Sequence, residues 1–375
     1  MVNAAVLILM AFLLRTARSR HDRMKAIAVL ITLLALDETS SYGRHITARD
    51  DTVAVLFLSA MRERRSNPTG VHDHRISHIM RVLTYGNAIQ FKQMFRVSRI
   101  VFNAILEELH PFLMQGRSPN RRQNFSAELK LGVSLYYMAH GGDAIHLEAA
   151  SGLSKATALK YLHQVAGLIC SKLAPKWMGE TILNDPNYMD ANRERFRARN
   201  GFSKVGAAID GTHIPYQPNA GEYEQDYKNY KMWTSMLCIG IVNAYHLFID
   251  IDIGWPGRLH DKTCTDNSSF WREMHKNRTL WLGADGVALA DTAWGAGSEL
   301  VMTPYTVLDG STESQQWYNF VHSSTRFFVE ETYGRWKNRF RCLINGLRFS
   351  NDHSKTIILA TALLHPVQRL GELLL

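Results

Sequence analysis

Apolar and polar positions follow two different patterns along the chain, and the change falls near residue 200. Upstream, apolar residues mostly recur every three or four positions, which is the spacing of amphipathic helices. Downstream, short apolar runs bounded by turn residues predict strands at 205–213, 233–242, 247–253 and 287–290, followed by a helix at 325–340. Successive strands with short turns indicate an antiparallel meander. The chain is therefore predicted to have a helical front half followed by an α/β (α+β) domain with a mixed sheet.

Three regions follow from these patterns. Residues 1–90 are predicted to form a helical N-terminal extension, 91–200 a second helical region, and 201–375 the sheet domain. Residues 1–14 are almost wholly apolar, but basic residues follow this run instead of preceding it, which is the reverse of a secretory signal. The run is also shorter than the roughly 20 residues that span a bilayer, so packed helices are favoured over a membrane segment. An organelle transit peptide stays open, because no acidic residue precedes Asp22.

Residues 129–172 have the pattern of a helix-turn-helix. An apolar helix at 131–138 is followed by a short turn around Gly152, and Ser154 is placed to cap a second helix that begins at Lys155. In DNA-binding proteins such a second helix enters the major groove. A plain helical hairpin explains the same pattern equally well.

The chain is basic, with 43 Lys and Arg residues against 34 Asp and Glu residues and a net charge of +9. This balance favours a polyanionic partner, although basicity alone does not separate nucleic acid from an acidic membrane surface. The four cysteines are widely spaced along the sequence. We therefore expect reduced thiols in an intracellular protein, and neither a disulfide framework nor a zinc site.

Three carboxylates stand out in the second half of the chain. Asp210 and Asp291 each end an apolar run, and Glu330 lies on the predicted helix 325–340. A carboxylate at the end of a buried strand is costly unless a partner such as a divalent cation neutralises it. Oxygen ligands suit magnesium or manganese, and two ions about 4 Å apart support phosphodiester chemistry. Taken singly, each residue has a simpler explanation: an Asp-Gly turn at Asp210, or a surface ion pair between Arg326 and Glu330.

Several short segments, all in one order, resemble the nuclease domain of Harbinger (PIF-type) transposases and of the nucleases derived from them. The segments are 205–214 (VGAAIDGTHI), 228–235 (KNYKMWTS), 255–261 (WPGRLHD), 289–294 (LADTAW), 301–305 (VMTPY) and 319–340 (NFVHSSTRFFVEETYGRWKNRF). The resemblance spans roughly residues 91–365 and leaves out the first ninety residues.

This resemblance implies a ribonuclease H-like fold with a DDE acidic triad. The first aspartate of the triad falls on Asp210, the second on Asp291 and the glutamate on Glu330. These residues would be both the catalytic groups and the ligands of two Mg²⁺ ions, or of two Mn²⁺ ions. Asp210 would bridge both ions, and the other two acids would each hold one.

Two of these assignments have a competitor in the sequence. Asp285 competes with Asp291, which we prefer because its distance to the segment 303–305 fits the family better. Glu331 competes with Glu330, which the spacing from Arg326 favours. Both choices are open to correction by the structure.

Further residues match positions around the triad. Asp261 matches an additional acidic position of the family and is expected to support the metal ligands or to cap a helix, and His213 is expected to support the site as well. Lys231, Arg326 and Lys337 are expected to hold DNA phosphates.

The implied function is metal-dependent, transposase-like cleavage of DNA phosphodiesters. The alternative is a domesticated, non-catalytic DNA-binding or adaptor protein that retains the transposase fold; a hydrolase of small phosphoesters ranks third. DNA is the expected partner, with no membrane partner. A separate DNA-binding partner protein and a homo-oligomer are both compatible with the sequence. The expected location is the nucleus, with the cytoplasm as the alternative.

Overall fold

The computed structural model describes residues 77–115, 125–178, 183–184, 187–218, 224–294, 298–306 and 311–365. Most of the predicted extension, up to residue 76, therefore lies outside the described residues. None of the helices in the described part of the chain is long and apolar enough to cross a membrane.

The first described part of the chain is helical, as predicted. Polar residues open most of these helices: for example, the side chains of Ser77, Ser98, Ser126 and Ser154 each accept a hydrogen bond from a backbone N–H of the first turn. The helices are α1 (His78–Tyr85), α2 (Ala88–Phe95), α3 (Arg99–Leu113), α4 (Ala127–His140), α5 (Ala144–Ser151), α6 (Lys155–Trp177) and α7 (Tyr188–Asn200).

The helix predicted to begin at Lys155 with Ser154 as its N-cap is confirmed. It ends at Trp177, beyond the segment 129–172 in which the helix-turn-helix is predicted. Helix α5 ends at Gly152, whose left-handed conformation (φ 68°) lets the chain turn into α6. Helix α6 buries an apolar stripe and packs against α4. Two helices joined by a short turn are therefore present here, but their use as a DNA-binding helix-turn-helix stays a prediction.

The second part of the chain forms a five-stranded mixed sheet with the strand order β3-β2-β1-β4-β5. Strands β1, β2 and β3 are antiparallel neighbours, which confirms the predicted meander, whereas β4 and β5 run parallel to β1. The strands are β1 (Val205–Pro215), β2 (Ser235–Val242), β3 (Phe248–Pro256), β4 (Val287–Leu289) and β5 (Val301–Met302). This mixed α/β architecture is consistent with the ribonuclease H-like fold that the resemblance implies.

Helices cover both faces of the sheet. One face packs against a long helix, α11, and against the last described helix, α13. The other face lies under three short helices that connect β3 to β4. These helices are α8 (Asp261–Asn267), α9 (Ser269–Lys276), α10 (Arg278–Leu282), α11 (Glu313–Arg339), α12 (Cys342–Asn345) and α13 (Asn351–Leu364). Because both faces are covered, every residue of the strand β2 is buried.

The helical part and the sheet share one apolar core. A single cluster of buried side chains runs from Phe91 and Leu162 in the helices to Met236 in the sheet and Trp336 on α11. The predicted boundary at residue 200 therefore marks a change of secondary structure and does not separate two cores.

Trp336 should be among the most costly residues to remove from this core. It is fully buried, its indole N–H donates to Thr361 Oγ1 at 3.1 Å, and its ring packs against Phe248. Trp336→Ala should lower the free energy of unfolding by about 3–5 kcal/mol, measured by urea denaturation. Trp317→Ala on the same helix removes a side chain that is 67% exposed and should change it by less than about 0.5 kcal/mol. Equal effects of the two changes would contradict the shared core.

Candidate active site

Asp210 lies in the middle of β1, directly after five buried residues. Its side chain is only 15% exposed, and its Oδ1 accepts a hydrogen bond from Gly211 N at 3.0 Å. Burial raises the pKa of Asp210 to about 7; the Arg326 guanidinium opposes this rise, and the negative charges of Asp261 and Asp291 add to it. Asp210 is therefore a largely buried carboxylate whose ionised form is disfavoured mainly by burial and only partly restored by Arg326.

Asp291 follows β4, which lies beside β1 and runs parallel to it. Ala208 of β1 lies opposite Leu289 of β4 in this parallel pairing, so two residues further along Asp291 is brought towards Asp210. Its carboxylate accepts a hydrogen bond from Ala293 N at 2.8 Å, which fixes the short 3₁₀ turn after the strand. Asp285, the competing residue, is exposed and bound instead by Arg193 at 2.7 Å and Lys204 at 3.2 Å. The structure thus brings Asp291, and not Asp285, into the surroundings of Asp210.

Glu330 is joined to Asp210 through Arg326, which lies one turn earlier on α11. One guanidinium nitrogen of Arg326 lies 3.0 Å from Asp210 Oδ2, and the other donates to Glu330 Oε1. Glu330 is 43% exposed, whereas Arg326 is 17% exposed. Glu331, the competing residue, is bound by Arg335 and by Arg199 at 3.2 Å. A guanidinium cation therefore lies between the first and third acids of the predicted triad.

Asp261 is a third aspartate at this site, and Gly211 makes room for it. A Cβ atom at position 211 would lie only 2.3–2.5 Å from the atoms of the Asp261 carboxylate. Burial and then the charge of Asp291 raise the pKa of Asp261 to about 6. The residue before it, His260, is the N-cap of α8, and no side-chain hydrogen bond caps this helix. The carboxylate of Asp261 is thus directed towards Asp210 and Asp291 instead of capping α8.

Tyr333 holds the backbone of the site, and the sequence analysis did not identify it. Its hydroxyl donates to the Asp210 carbonyl oxygen at 2.6 Å and accepts from Gly240 N at 2.9 Å. It therefore ties α11 to both β1 and β2 at the position of Asp210. The available signal was a tyrosine in the buried stripe of a helix, since a buried tyrosine hydroxyl usually has a hydrogen-bond partner.

The predicted phosphate-binding lysines differ in their surroundings. Lys337 is largely buried, and its ammonium donates to Thr212 Oγ1 at 2.6 Å and to the carbonyl oxygen of His213 at 2.9 Å. Lys231 is exposed. His213 lies between them, 2.9 Å from Ser235 Oγ, and burial and then the two lysines lower its pKa to about 4. His213 is therefore neutral near pH 7, and Lys231 is more accessible to a phosphate than Lys337.

The carboxylate oxygens of Asp210, Asp261, Asp291 and Glu330 are ligands of the kind that divalent cations prefer. Among the described residues, no three carboxylate, imidazole or thiolate groups lie close enough together to hold a metal ion as they stand. The pKa values of Asp210 and Asp261 are nevertheless raised, in part by neighbouring aspartate charges, which reflects negative charge that a cation would neutralise. Arg326 supplies part of that positive charge between Asp210 and Glu330.

The residues of this site fall within a region that is similar to a known protein family. The family model of the DDE superfamily endonucleases matches residues 209–366, which include Asp210, Asp291 and Glu330. Residues 209–366 are therefore similar to a DDE superfamily endonuclease domain. The resemblance noted in the sequence is thereby confirmed at the level of this family.

Named relatives extend over more of the chain. The protein called putative nuclease HARBI1 from Homo sapiens is 26% identical over 259 residues, which cover 67% of this chain and 70% of the relative. The protein Antagonist of like heterochromatin protein 1 from Arabidopsis thaliana is 22% identical over 293 residues, covering 74% and 72% of the two chains. No solved structure matches this chain.

The buried charge of Asp210 should make the stability of the metal-free protein depend on pH. Its pKa is about 7 in the folded protein against an ordinary value of 3.8, so at intermediate pH the folded state holds a proton that the unfolded state has lost. The unfolding free energy should therefore fall as the pH rises from about 4 to about 7. Asp210→Asn should reduce this fall, as measured by urea denaturation in the presence of a chelator.

Asp285→Asn is the matched control for this titration. Asp285 is exposed, and its pKa is lowered by hydrogen bonds from Arg193 and Lys204. It therefore stays ionised in the folded and the unfolded state between about pH 5 and pH 7, and it does not contribute to the change of the unfolding free energy with pH in that range. Identical slopes for wild type and Asp210→Asn would show that Asp210 is not a protonated, buried acid.

Proposed function

We propose that this protein is a divalent-metal-dependent DNA endonuclease that cleaves phosphodiesters in the manner of a transposase. The observation that carries the proposal is the gathering of Asp210, Asp261 and Asp291 beside the middle of β1, with Glu330 joined to Asp210 through Arg326. Clustered carboxylates with raised pKa values, here Asp210 and Asp261, are characteristic of functional sites. The similarity of residues 209–366 to an endonuclease family supports the same conclusion.

Asp210, Asp291 and Glu330 would hold the metal, with Mg²⁺ or Mn²⁺ as the expected ions because all the donors are carboxylate oxygens. Two bound ions would supply activation of a water or hydroxyl and stabilisation of the leaving oxygen. The chain itself keeps Asp210 in position through Tyr333 and Gly211. Arg326 would exchange its contacts with the acids for contacts with a substrate phosphate, because its planar guanidinium binds either anion.

The proposed substrate is DNA. The relative HARBI1 is named a putative nuclease, and this chain carries a net charge of +9, which favours a phosphate backbone. A DNA substrate suggests the nucleus as the location. A homo-oligomer, or a separate DNA-binding protein that selects the target, would be compatible with this role.

Nicking of supercoiled plasmid tests the activity. Wild type should nick the plasmid with Mg²⁺ or Mn²⁺ and should not do so with a chelator. Asp210→Asn should abolish nicking, because it removes one negative charge from the proposed metal site at almost unchanged shape. Asp285→Asn should retain it. Wild-type nicking that persists in the chelator, or in Asp210→Asn, would refute the proposal.

A non-catalytic DNA-binding or adaptor role is the second candidate, and Arg326 is the observation that favours it. The guanidinium contacts both Asp210 and Glu330, so it offsets part of the negative charge that a metal ion would otherwise neutralise. Such an adaptor would bind DNA but nick nothing, and Mn²⁺ would not raise its melting temperature. An endonuclease should show a Mn²⁺-dependent rise in melting temperature that Asp210→Asn removes.

Lys231→Ala should weaken DNA binding and make it less sensitive to salt. If Lys231 contacts one phosphate, the slope of log K against log [salt] should become shallower by about one unit. Binding to a labelled duplex can be measured by fluorescence anisotropy at several salt concentrations. Lys276→Ala is the control, because Lys276 lies on α9 and is paired with Glu273 at 2.7 Å. Equal slopes for wild type and Lys231→Ala would place Lys231 outside the DNA path.

A further inference from the structure

The connection between β1 and β2 exposes an apolar tip that the metal site does not explain. Tyr230 is 78% exposed, Met232 76% and Trp233 37%. Exposed apolar side chains that cluster in this way mark contact sites for partners. We call residues 230–233 the tip.

Hydrogen bonds within the turn fix the shape of the tip. The side chain of Asn229 is buried; its Oδ1 accepts from the backbone nitrogens of Lys231 at 2.9 Å and Trp233 at 3.4 Å, and its Nδ2 donates to Ser235 Oγ at 3.2 Å. The backbone N–H of Met232 donates to the Asn229 carbonyl at 2.9 Å, with Met232 in the left-handed region at φ 65°. The turn is therefore built around Asn229, and the apolar side chains are held outward at the surface.

The tip lies close to the acidic site. The ring of His213 lies 6.1 Å from that of Tyr230 and 5.9 Å from that of Trp233, measured between centroids. His213 follows Gly211 by two residues on the same face of β1, which is about 7 Å along a strand, and the Asp261 carboxylate lies against Gly211. A nucleic acid with its backbone at these acids would thus reach the tip within a few nucleotides.

The charge around the tip favours an anionic partner. Lys231 lies with its Nζ 5.3 Å from the centre of the Tyr230 ring, and Lys228 precedes the turn. No acidic residue occurs in the sequence between Asp226 and Asp250. An exposed aromatic ring beside a lysine is the combination with which proteins bind unpaired bases and their phosphates.

We propose that the tip is a stacking site for an unpaired DNA base next to the cleavage site. Tyr230 provides the stacking surface, Met232 and Trp233 extend it, and Lys231 binds the flanking phosphate. This inference rests on the proposed DNA substrate and goes further by naming the form of DNA that is bound: a duplex with an unstacked or unpaired base. It would serve cleavage by holding the strand open beside the acids.

Binding measured in a chelator tests this site separately from cleavage. The probes are two labelled duplexes of one sequence, one fully paired and one with a single bulged 2-aminopurine. Wild type should bind the bulged duplex more tightly, by about 5-fold to 100-fold, and should quench the 2-aminopurine fluorescence. Tyr230→Ala should lose both effects and keep its affinity for the paired duplex, whereas Tyr230→Phe should retain both.

The controls separate the competing explanations. Trp317→Ala removes another exposed aromatic residue, which lies near Glu313 on α11, and should behave as wild type. A preference for the bulged duplex that depends on Tyr230 supports the tip even if no variant nicks DNA. Conversely, nicking by a wild type that shows no such preference overturns the tip and leaves the endonuclease proposal standing. Unchanged DNA binding by Tyr230→Ala together with altered self-association in light scattering would overturn it too, and would make the tip a protein contact.

Discussion

The site depends on one constraint: a carboxylate is buried in the middle of a sheet. Asp210 lies within β1 and follows five buried residues of that strand. Burying an ionised group without compensation costs several kcal/mol. Arg326 and the Gly211 N–H provide part of the compensation, while two neighbouring aspartates work against it. Folding alone would favour a neutral residue at this position. Costs of this kind persist where function requires them, because activity and stability trade against each other.

The same constraint explains why so much of the site is carried by one helix. Helix α11 contributes Arg326, Glu330 and Tyr333, and three residues later it contributes Trp336 to the shared core. This segment of α11 is therefore held by apolar packing around Trp336 and by the ion pairs of Arg326 with Asp210 and Glu330. Groups on a rigid, well-packed element keep their geometry better than groups on a loop.

Local patterns in the sequence were sufficient to predict the strands β1 to β4 and the meander, but not the two-residue strand β5. Each depends on residues that are close in sequence, such as the apolar run before Asp210 or the parallel strand before Asp291. The contact of Arg326 with Asp210 was not predictable, since it joins residues 116 positions apart. The resemblance indicated Asp261 as a supporting residue or a helix cap, but its contact with the Gly211 backbone depends on how closely α8 packs over β1, which local patterns do not show. The predicted boundary at residue 200 followed the change in hydrophobic pattern, whereas the core follows tertiary packing that local patterns do not reveal.

The contact between α6 and α13 has a consequence for how the protein is made. Cys170 on α6 donates its thiol hydrogen bond to the Thr356 carbonyl on α13, across 186 residues of sequence, and the two helices pack along their lengths. At usual rates of translation α13 is synthesised roughly 10–40 s after α6. During that interval the apolar stripe of α6 is not yet covered by α13. It is then accessible to chaperones that bind exposed apolar segments on the ribosome.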